Sequence, residues 1–148
     1  MFKRILLMLK FSENIKDAVA VALQMATCCR ARLHILHVLD HRLRDPGVTD
    51  DQIAKITWAV EDRFKKEIIP MMGDFKDYYF NCWEGDPANE TAKFADKIGA
   101  DFIILGCHTV GDVPSFNRLG EVGSLILQWA PCPVTLVPCR EKNVHAGS

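Results

Sequence analysis

Apolar residues along this chain fall into two arrangements that alternate from the first residues to the last. Short runs are almost wholly apolar, which is typical of strands covered on both faces in a parallel sheet. Longer stretches carry an apolar residue every three or four positions, which is the spacing of helices with one buried face. The predicted strands are 3–9, 32–39, 78–83, 101–105 and 133–138. Because prolines bound the last run and proline cannot donate to an interior ladder, that strand should lie at an edge of the sheet.

The first two predicted helices each begin at a residue whose hydroxyl can accept a hydrogen bond from free backbone amides. Ser12 opens one helix and Thr49 opens the other. Their apolar stripes are Ile15, Val19, Ala22, Leu23 and Ala26 in the first, and Ile53, Ile56, Val60, Phe64 and Ile68 in the second. Pro70 and Gly73 should end or kink the second helix.

Two further helices are predicted in the second half of the chain. One of them runs to about Ile98. Asp86 can cap its start, and Pro87 can occupy its first position. A final helix is predicted over 120–129. It should be short, since Gly123 within it costs about 1 kcal/mol relative to alanine.

Strands that alternate with helices in this way predict a doubly wound α/β fold. We expect a five-stranded parallel sheet of the flavodoxin or Rossmann-like type, with strand order 3-2-1-4-5 and right-handed connections. Ligands of such folds bind at the carboxyl ends of the strands. The segments at that edge are 9–12, 38–41, 84–86 and 106–121.

Length, charge and cysteine placement restrict the class of protein. The 148 residues suit one domain, which we place at 1–139, with 140–148 as a disordered tail. The net charge of −1 provides no basic field for a nucleic acid. No run approaches the roughly 18 apolar residues of a membrane-spanning helix, and the six cysteines form no Cys-x-x-Cys pair. We therefore expect a soluble, cytoplasmic protein without a nucleic-acid or membrane partner.

Three motifs follow one another in the second half of the chain: Gly85-Asp86-Pro87, Gly-Ala-Asp-Phe-Ile-Ile-Leu-Gly at 99–106, and Ala-Pro-Cys-Pro-Val at 130–134. With the order of elements around them, they make the chain resemble the universal stress protein family over nearly its whole length. The resemblance implies a stress-response or regulatory role. For the nucleotide-binding branch of that family it implies a loop of the form G-x2-G-x9-G-[ST], which carries phosphates between the fourth strand and the last helix.

This chain matches that loop only in part. Gly106 matches the first glycine and Gly120 the last, but Thr109 replaces the second glycine and Glu121 replaces the hydroxyl residue. The spacing is also one residue longer. A carboxylate in the first turn of the last helix would satisfy the helix dipole from within the chain and would repel an incoming phosphate. We therefore expect ATP binding to be weak or absent.

A second departure lies after the first strand, where the family usually has an aspartate and this chain has Lys10. Val38 matches the position whose backbone meets the adenine base, although packing alone would also favour valine there. We hypothesise that Lys10 and Glu121 form an ion pair across the vacated site; two solvated side chains are the alternative. The candidate nucleotide- or ligand-binding residues are Leu9, Lys10, Ser12, Val38, Gly106, His108, Thr109, Gly120, Glu121 and Val122.

Other residues that could carry chemistry lack the partners that the chemistry needs. His34, His37 and His41 are close in sequence, but His34 and His37 point to opposite faces of a strand, so no metal site is expected. Cys107 is either a reactive thiol or a small packing residue. The sequence has neither a Gly-x-Ser-x-Gly nucleophile elbow nor a full P-loop. We assign no catalytic residue.

The last strand suggests a function by association. Val134, Leu136 and Val137 form an apolar edge that a soluble monomer would ordinarily protect. The resemblance implies the same, since family members commonly dimerise through this strand; the alternative is an edge guarded by its flanking prolines. Two functions stay open. One is a homodimeric regulatory protein that acts through an unidentified protein partner without a cofactor, and the other is an ATP- or AMP-binding switch or slow ATPase that uses the loop 106–121.

Overall fold

The computed structural model describes residues 1–11, 15–40, 46–108 and 120–139, and at 107, 108 and 139 the backbone alone. The described residues form the strands β1 (Arg4–Met8), β2 (Arg32–Asp40), β3 (Tyr78–Gly85), β4 (Phe102–His108) and β5 (Val134–Cys139). All neighbouring strands are parallel, and their order is β3-β2-β1-β4-β5. The predicted fold class and strand order are therefore confirmed. The tail predicted at 140–148 lies outside the described residues, so the domain boundary stays a prediction.

The helices lie between the strands in the predicted alternation. They are α1 (Lys16–Cys29), α2 (Asp50–Arg63), α3 (Ile69–Met72), α4 (Pro87–Ile98) and α5 (Gly120–Trp129). A π turn over Phe64–Ile68 joins α2 to α3. The chain passes Pro70 without ending the helix, which stops at Gly73 instead. Within the described ranges, none of the helices combines the length and the hydrophobicity needed to cross a membrane.

The sheet is buried on both faces because successive side chains of its inner strands alternate between them. In β1, Ile5 and Leu7 pack on the face covered by α1 and the π turn, while Leu6 and Met8 pack on the face covered by α4 and α5. All four residues are buried. This two-sided burial explains why the strand is an unbroken apolar run in the sequence.

Side-chain caps fix the starts of two helices. The Thr49 hydroxyl accepts from the backbone N–H of Gln52, and the Gln52 side chain accepts from the backbone N–H of Thr49, which completes a capping box at α2. The Asp86 carboxylate accepts from the Asn89 N–H at 2.9 Å and caps α4. These two predicted starts are confirmed. The start predicted at Ser12 is wrong, because α1 begins at Lys16 with Ile15 at the capping position and no side-chain cap there; Ser12 itself lies outside the described residues.

The strands β3 and β5 are the two edges of the described sheet. The backbone N–H of Ile103 donates to the Pro133 carbonyl at 2.9 Å. Because a parallel ladder uses every second residue, Thr135 and Val137 also face β4. The nitrogen of Pro138 therefore points outward, where its missing N–H interrupts no ladder. The edge position predicted for this proline-bounded strand is confirmed.

Candidate functional site

A shallow depression opens at the point where the strand order reverses. From β1 the chain continues through α1 to β2 on one side, and from β4 it continues through α5 to β5 on the other. The depression is lined by Met8, Lys10, Leu105, Gly106, Val122, Gly123, Ile126 and Leu136. The depression is open to solvent, with an open space of about 250 Å³ and room among its walls for about one water. This is the crevice in which doubly wound folds bind ligands.

Several predicted site residues meet at this depression. Lys10 extends from the end of β1, Gly106 belongs to β4, and Val122 lies in the first turn of α5. Gly120 begins α5 with φ 62°, a left-handed conformation that favours glycine. Glu121 follows it as an exposed acidic residue in the first turn.

The hypothesised ion pair between Lys10 and Glu121 is absent. The salt bridges among the described side chains join other residues, and none of them joins Lys10 to Glu121. The ion-pair hypothesis is therefore wrong, while the alternative of two solvated side chains holds for the exposed Glu121 and less well for Lys10, which is half-buried. Thr109 and Ser12 lie outside the described residues, and so do the side chains of His108 and Cys107.

Leu9 and Val38 are buried in the domain. The Leu9 N–H donates to the Leu36 carbonyl at 2.9 Å. Val38 lies beside Trp83 of β3 and packs in the apolar cluster on the α4 side of the sheet. Packing accounts for valine at this position, as the sequence also allowed, and a contact between its backbone and a ligand stays a prediction.

An aromatic cluster beside Lys10 had not been predicted from the sequence. The buried ring of Phe11 lies 5.1 Å from that of His37 and 6.3 Å from that of Phe80. Phe80 in turn stacks on Phe64 of the π turn, with 4.2 Å between ring centroids. The Arg63 guanidinium lies 5.2 Å from the centre of the Phe11 ring. These contacts hold the segment that leaves β1 toward the depression.

His37 fixes that same segment through a hydrogen bond. Its Nδ1 lies 2.7 Å from the Leu9 carbonyl oxygen, and because a carbonyl only accepts, Nδ1 carries the proton. Burial lowers the pKa of His37 and nearby Arg63 lowers it further, while the bond to Leu9 acts in the opposite direction. The imidazole is therefore neutral at neutral pH.

His34 lies on the other face of β2, as the strand alternation predicts. Its ring stacks on Tyr79 at 5.6 Å and meets Phe94 of α4 edge-on at 5.9 Å. His34 and His37 therefore cannot share a metal ion. In the part of the chain that the structure describes, no three His, Cys, Asp or Glu side chains are grouped as metal ligands.

The fold and the depression together define a doubly wound α/β domain with a crevice between the ends of β1 and β4. The model of the universal stress protein family matches residues 1–138. A universal stress protein of Thermus aquaticus is 30% identical over 140 residues, which cover 93% of this chain and 99% of that protein. The chain belongs to the universal stress protein family.

Solved structures with nucleotides share this fold. A universal stress protein in complex with cAMP superposes with a TM-score of 0.63 and 21% identity, over 94% of this chain and 98% of that one. The Archaeoglobus fulgidus universal stress protein in complex with dAMP gives a TM-score of 0.63 and 18% identity, over 93% and 98% of the two chains.

Proposed function

We propose that the protein is a stress-response regulator that acts as a homodimer through β5 and by contact with another protein, with weak or absent ATP binding. Glu121 carries the proposal about ATP, since its carboxylate lies in the first turn of α5 where the family's phosphate loop has a hydroxyl residue. The partial positive charge at the start of α5 is met by this carboxylate. A phosphate group approaching the same helix end would meet a like charge.

The homodimer is supported by the character of β5 and its surroundings. Val134 and Leu136 are only half-buried, whereas Val137 is buried against the core. Two large apolar side chains near the end of the preceding helix, Leu127 and Trp129, are exposed. Strand pairing with a second copy would cover apolar surface and satisfy the outward backbone groups of β5.

Replacing Glu121 with serine tests the proposal about ATP. We expect calorimetric titration to give weak or no ATP binding for the wild type, and about fivefold tighter binding for Glu121→Ser, since one charge in a helix's first turn is worth about 1 kcal/mol. Asp51→Ser is the matched control, because Asp51 is an exposed acid in the first turn of α2, in another part of the chain. Tight ATP binding by the wild type that Glu121→Ser does not change would contradict the proposal.

A second candidate function is a switch that binds AMP-type nucleotides or hydrolyses ATP slowly. Lys10 is the observation that favours it, because this residue lines the depression beside Gly106 and a lysine ammonium can pair with a phosphate. The cAMP and dAMP complexes of family members make this ligand class the one to test. Titration with AMP and cAMP at two salt concentrations separates the functions, since phosphate recognition by a lysine weakens as salt increases. Phosphate release from ATP tests the hydrolysis.

A further inference from the structure

The strand β3 is the less protected edge of the sheet. Its eight residues include neither proline nor lysine, and none of them is fully buried. In β5, by contrast, Pro138 removes a donor from the outer side. An edge strand that lacks such protection is a template for a further strand.

The outward backbone groups of β3 can be assigned from its ladder. The Leu33 N–H donates to the Asp77 carbonyl at 3.0 Å. Because a parallel ladder uses every second residue, Asn81 also faces β2, while Phe80 and Cys82 direct their N–H and C=O groups outward. The two outward residues are therefore separated by one residue whose backbone is already paired.

We infer that β3 pairs with β3 of a second copy as an antiparallel strand, about a two-fold axis that passes between the two Asn81 residues. In this register Phe80 of each copy lies opposite Cys82 of the other, and both residues exchange hydrogen bonds through their outward groups. Asn81 lies opposite itself in a pair without backbone hydrogen bonds, where the two amide side chains can bond to each other. The interface is self-complementary, as a two-fold contact requires.

Side chains favour this register over its neighbours. Tyr79, whose exposed fraction is 49%, comes opposite Trp83. Cross-strand aromatic pairs stabilise antiparallel strands. A shift that centres the axis on Phe80 places Tyr79 opposite Asn81, and a shift that centres it on Cys82 places Tyr79 opposite Gly85. Both shifts lose the aromatic pair.

The helix α2 supplies further apolar surface at the same edge. It contains no buried residue, and its end packs over β3 through the stack of Phe64 on Phe80. Trp58 and Ile56 have exposed fractions of 66% and 37%. A two-fold axis perpendicular to the sheet brings α2 of both copies to one face of the joined sheet. The exposed side chains of α2 are then available for burial between the copies.

Analytical ultracentrifugation over a concentration series tests this inference on the full chain. Asn81→Lys places two like charges directly opposite each other at the axis, so we expect about fivefold weaker association, since a cross-strand pair is worth up to about 1 kcal/mol. Gln24→Lys, which adds the same charge at an exposed position of α1, should leave association unchanged. Thr135→Lys on β5 distinguishes association through β3 from association through β5. The added charge should block only pairing through β5, so the β3 contact should persist in this variant. A Thr135→Lys protein that stays monomeric, or an Asn81→Lys protein that associates as the wild type does, would overturn the inference.

Disulfide trapping tests the register independently of any loss of folding. Residues opposite each other without backbone hydrogen bonds have Cα atoms about 4.5 Å apart, which lies within disulfide range. Asn81→Cys should therefore give a covalent dimer on mild oxidation, beyond any that the wild type forms, and Tyr79→Cys should not. The native Cys82 thiol is a poor competitor, because burial and then the charge of Glu61 raise its pKa to about 11. Equal cross-linking of the two variants, or none in Asn81→Cys, would rule out the pairing about Asn81.

Discussion

Asp101 joins the start of β4 to β1 through its carboxylate. Oδ2 accepts from the Lys3 N–H at 2.7 Å, and Oδ1 accepts from the Arg4 N–H at 3.1 Å. The backbone N–H of Asp101 also donates to the Arg4 carbonyl at 2.9 Å. Asp101 thus satisfies backbone groups at the amino end of a central strand. The sequence alone gives no sign of this role, since it shows Asp101 only as the residue that follows Gly-Ala.

Replacement of Asp101 by alanine should destabilise the fold. Two backbone donors lose a charged acceptor, so we expect the free energy of unfolding in urea to fall by about 1–3 kcal/mol. Asp96→Ala is the control, because Asp96 is exposed on α4 and a surface change of this kind is usually within about 0.5 kcal/mol. Equal stability of the two variants would show that the carboxylate contacts contribute nothing.

The histidines of β2 predict a pH dependence of stability. Burial is the largest cause that lowers the pKa of both His34 and His37 below 6.5. At His34, the charges of Arg32 and Arg4 also lower the pKa, while Asp77 raises it. At His37, the charge of Arg63 lowers the pKa further, while the hydrogen bond to Leu9 raises it. Near and below pH 6.5, these two histidines bind more protons in the unfolded chain than in the folded one. The free energy of unfolding should therefore decrease as the pH falls through 6.5. Melting temperatures measured from about pH 7.5 to about pH 5.5 should decrease.

A His37→Gln variant provides the comparison for that pH series. Glutamine can still donate to the Leu9 carbonyl but does not titrate, so the decrease in melting temperature should be smaller than in the wild type. A steeper decrease in the variant, or a wild type that becomes more stable on acidification, would contradict the assignment of a neutral, buried His37.

At the scale of elements, α2 is held by local interactions. It contains no buried residue. Its start carries the Thr49 capping box, and its end has the i, i+4 pairs Asp62 with Lys66 and Arg63 with Glu67. Such a helix should open more easily than α1, whose residues Val19, Ala22 and Ala26 are buried.

Loss of the capping box should therefore act locally. Thr49→Ala removes one acceptor for the first turn, worth about 1 kcal/mol of helix stability. We expect faster hydrogen exchange in α2 and unchanged exchange in α1. Thr27→Ala, at an exposed position inside α1, should leave α2 exchange unchanged. Exchange that rises equally throughout the chain would show that α2 opens only with the whole domain.

The elements and their order were predictable because each depends on local periodicity and on caps that lie close in sequence. Strand lengths were less predictable. β3 continues past Trp83 to Gly85, which pairs with Asp40, and β4 continues past Leu105 to His108, which pairs with Cys139. Those ends exist because a neighbouring strand continues beside them, and this information is not local. The π turn before α3 also has no periodic signal in the sequence.

The candidate site was predictable where backbone geometry or fold position requires a residue. Gly120 needs its left-handed conformation, and Gly106 and Lys10 lie at the switch point of the sheet. Leu9 is buried with its backbone bonded to β2, which a motif match could not reveal. The cluster around Phe11 escaped prediction because its aromatic members come from four separate segments of the chain.

At the scale of the whole molecule, the sheet has two edges of different character. β5 carries an outward proline, and its side chains Val134 and Leu136 are partly covered by the core. β3 is aromatic and lacks proline. If both edges pair with further copies, the two contacts lie at opposite ends of the sheet, so the assembly would exceed a dimer. Blocking one edge at a time is therefore required to interpret any measured mass.

Our main proposal is that the Glu121 carboxylate, in the first turn of α5, opposes phosphate binding, so that the protein binds adenine nucleotides weakly or not at all. The most direct test is the adenine nucleotide content of the purified protein, measured by the ratio of absorbance at 260 and 280 nm and by chromatography of an acid extract. We predict the absorbance ratio of a nucleotide-free protein and an extract without ATP, ADP or AMP. Adenine nucleotide in the extract at about one molecule per chain would contradict the claim.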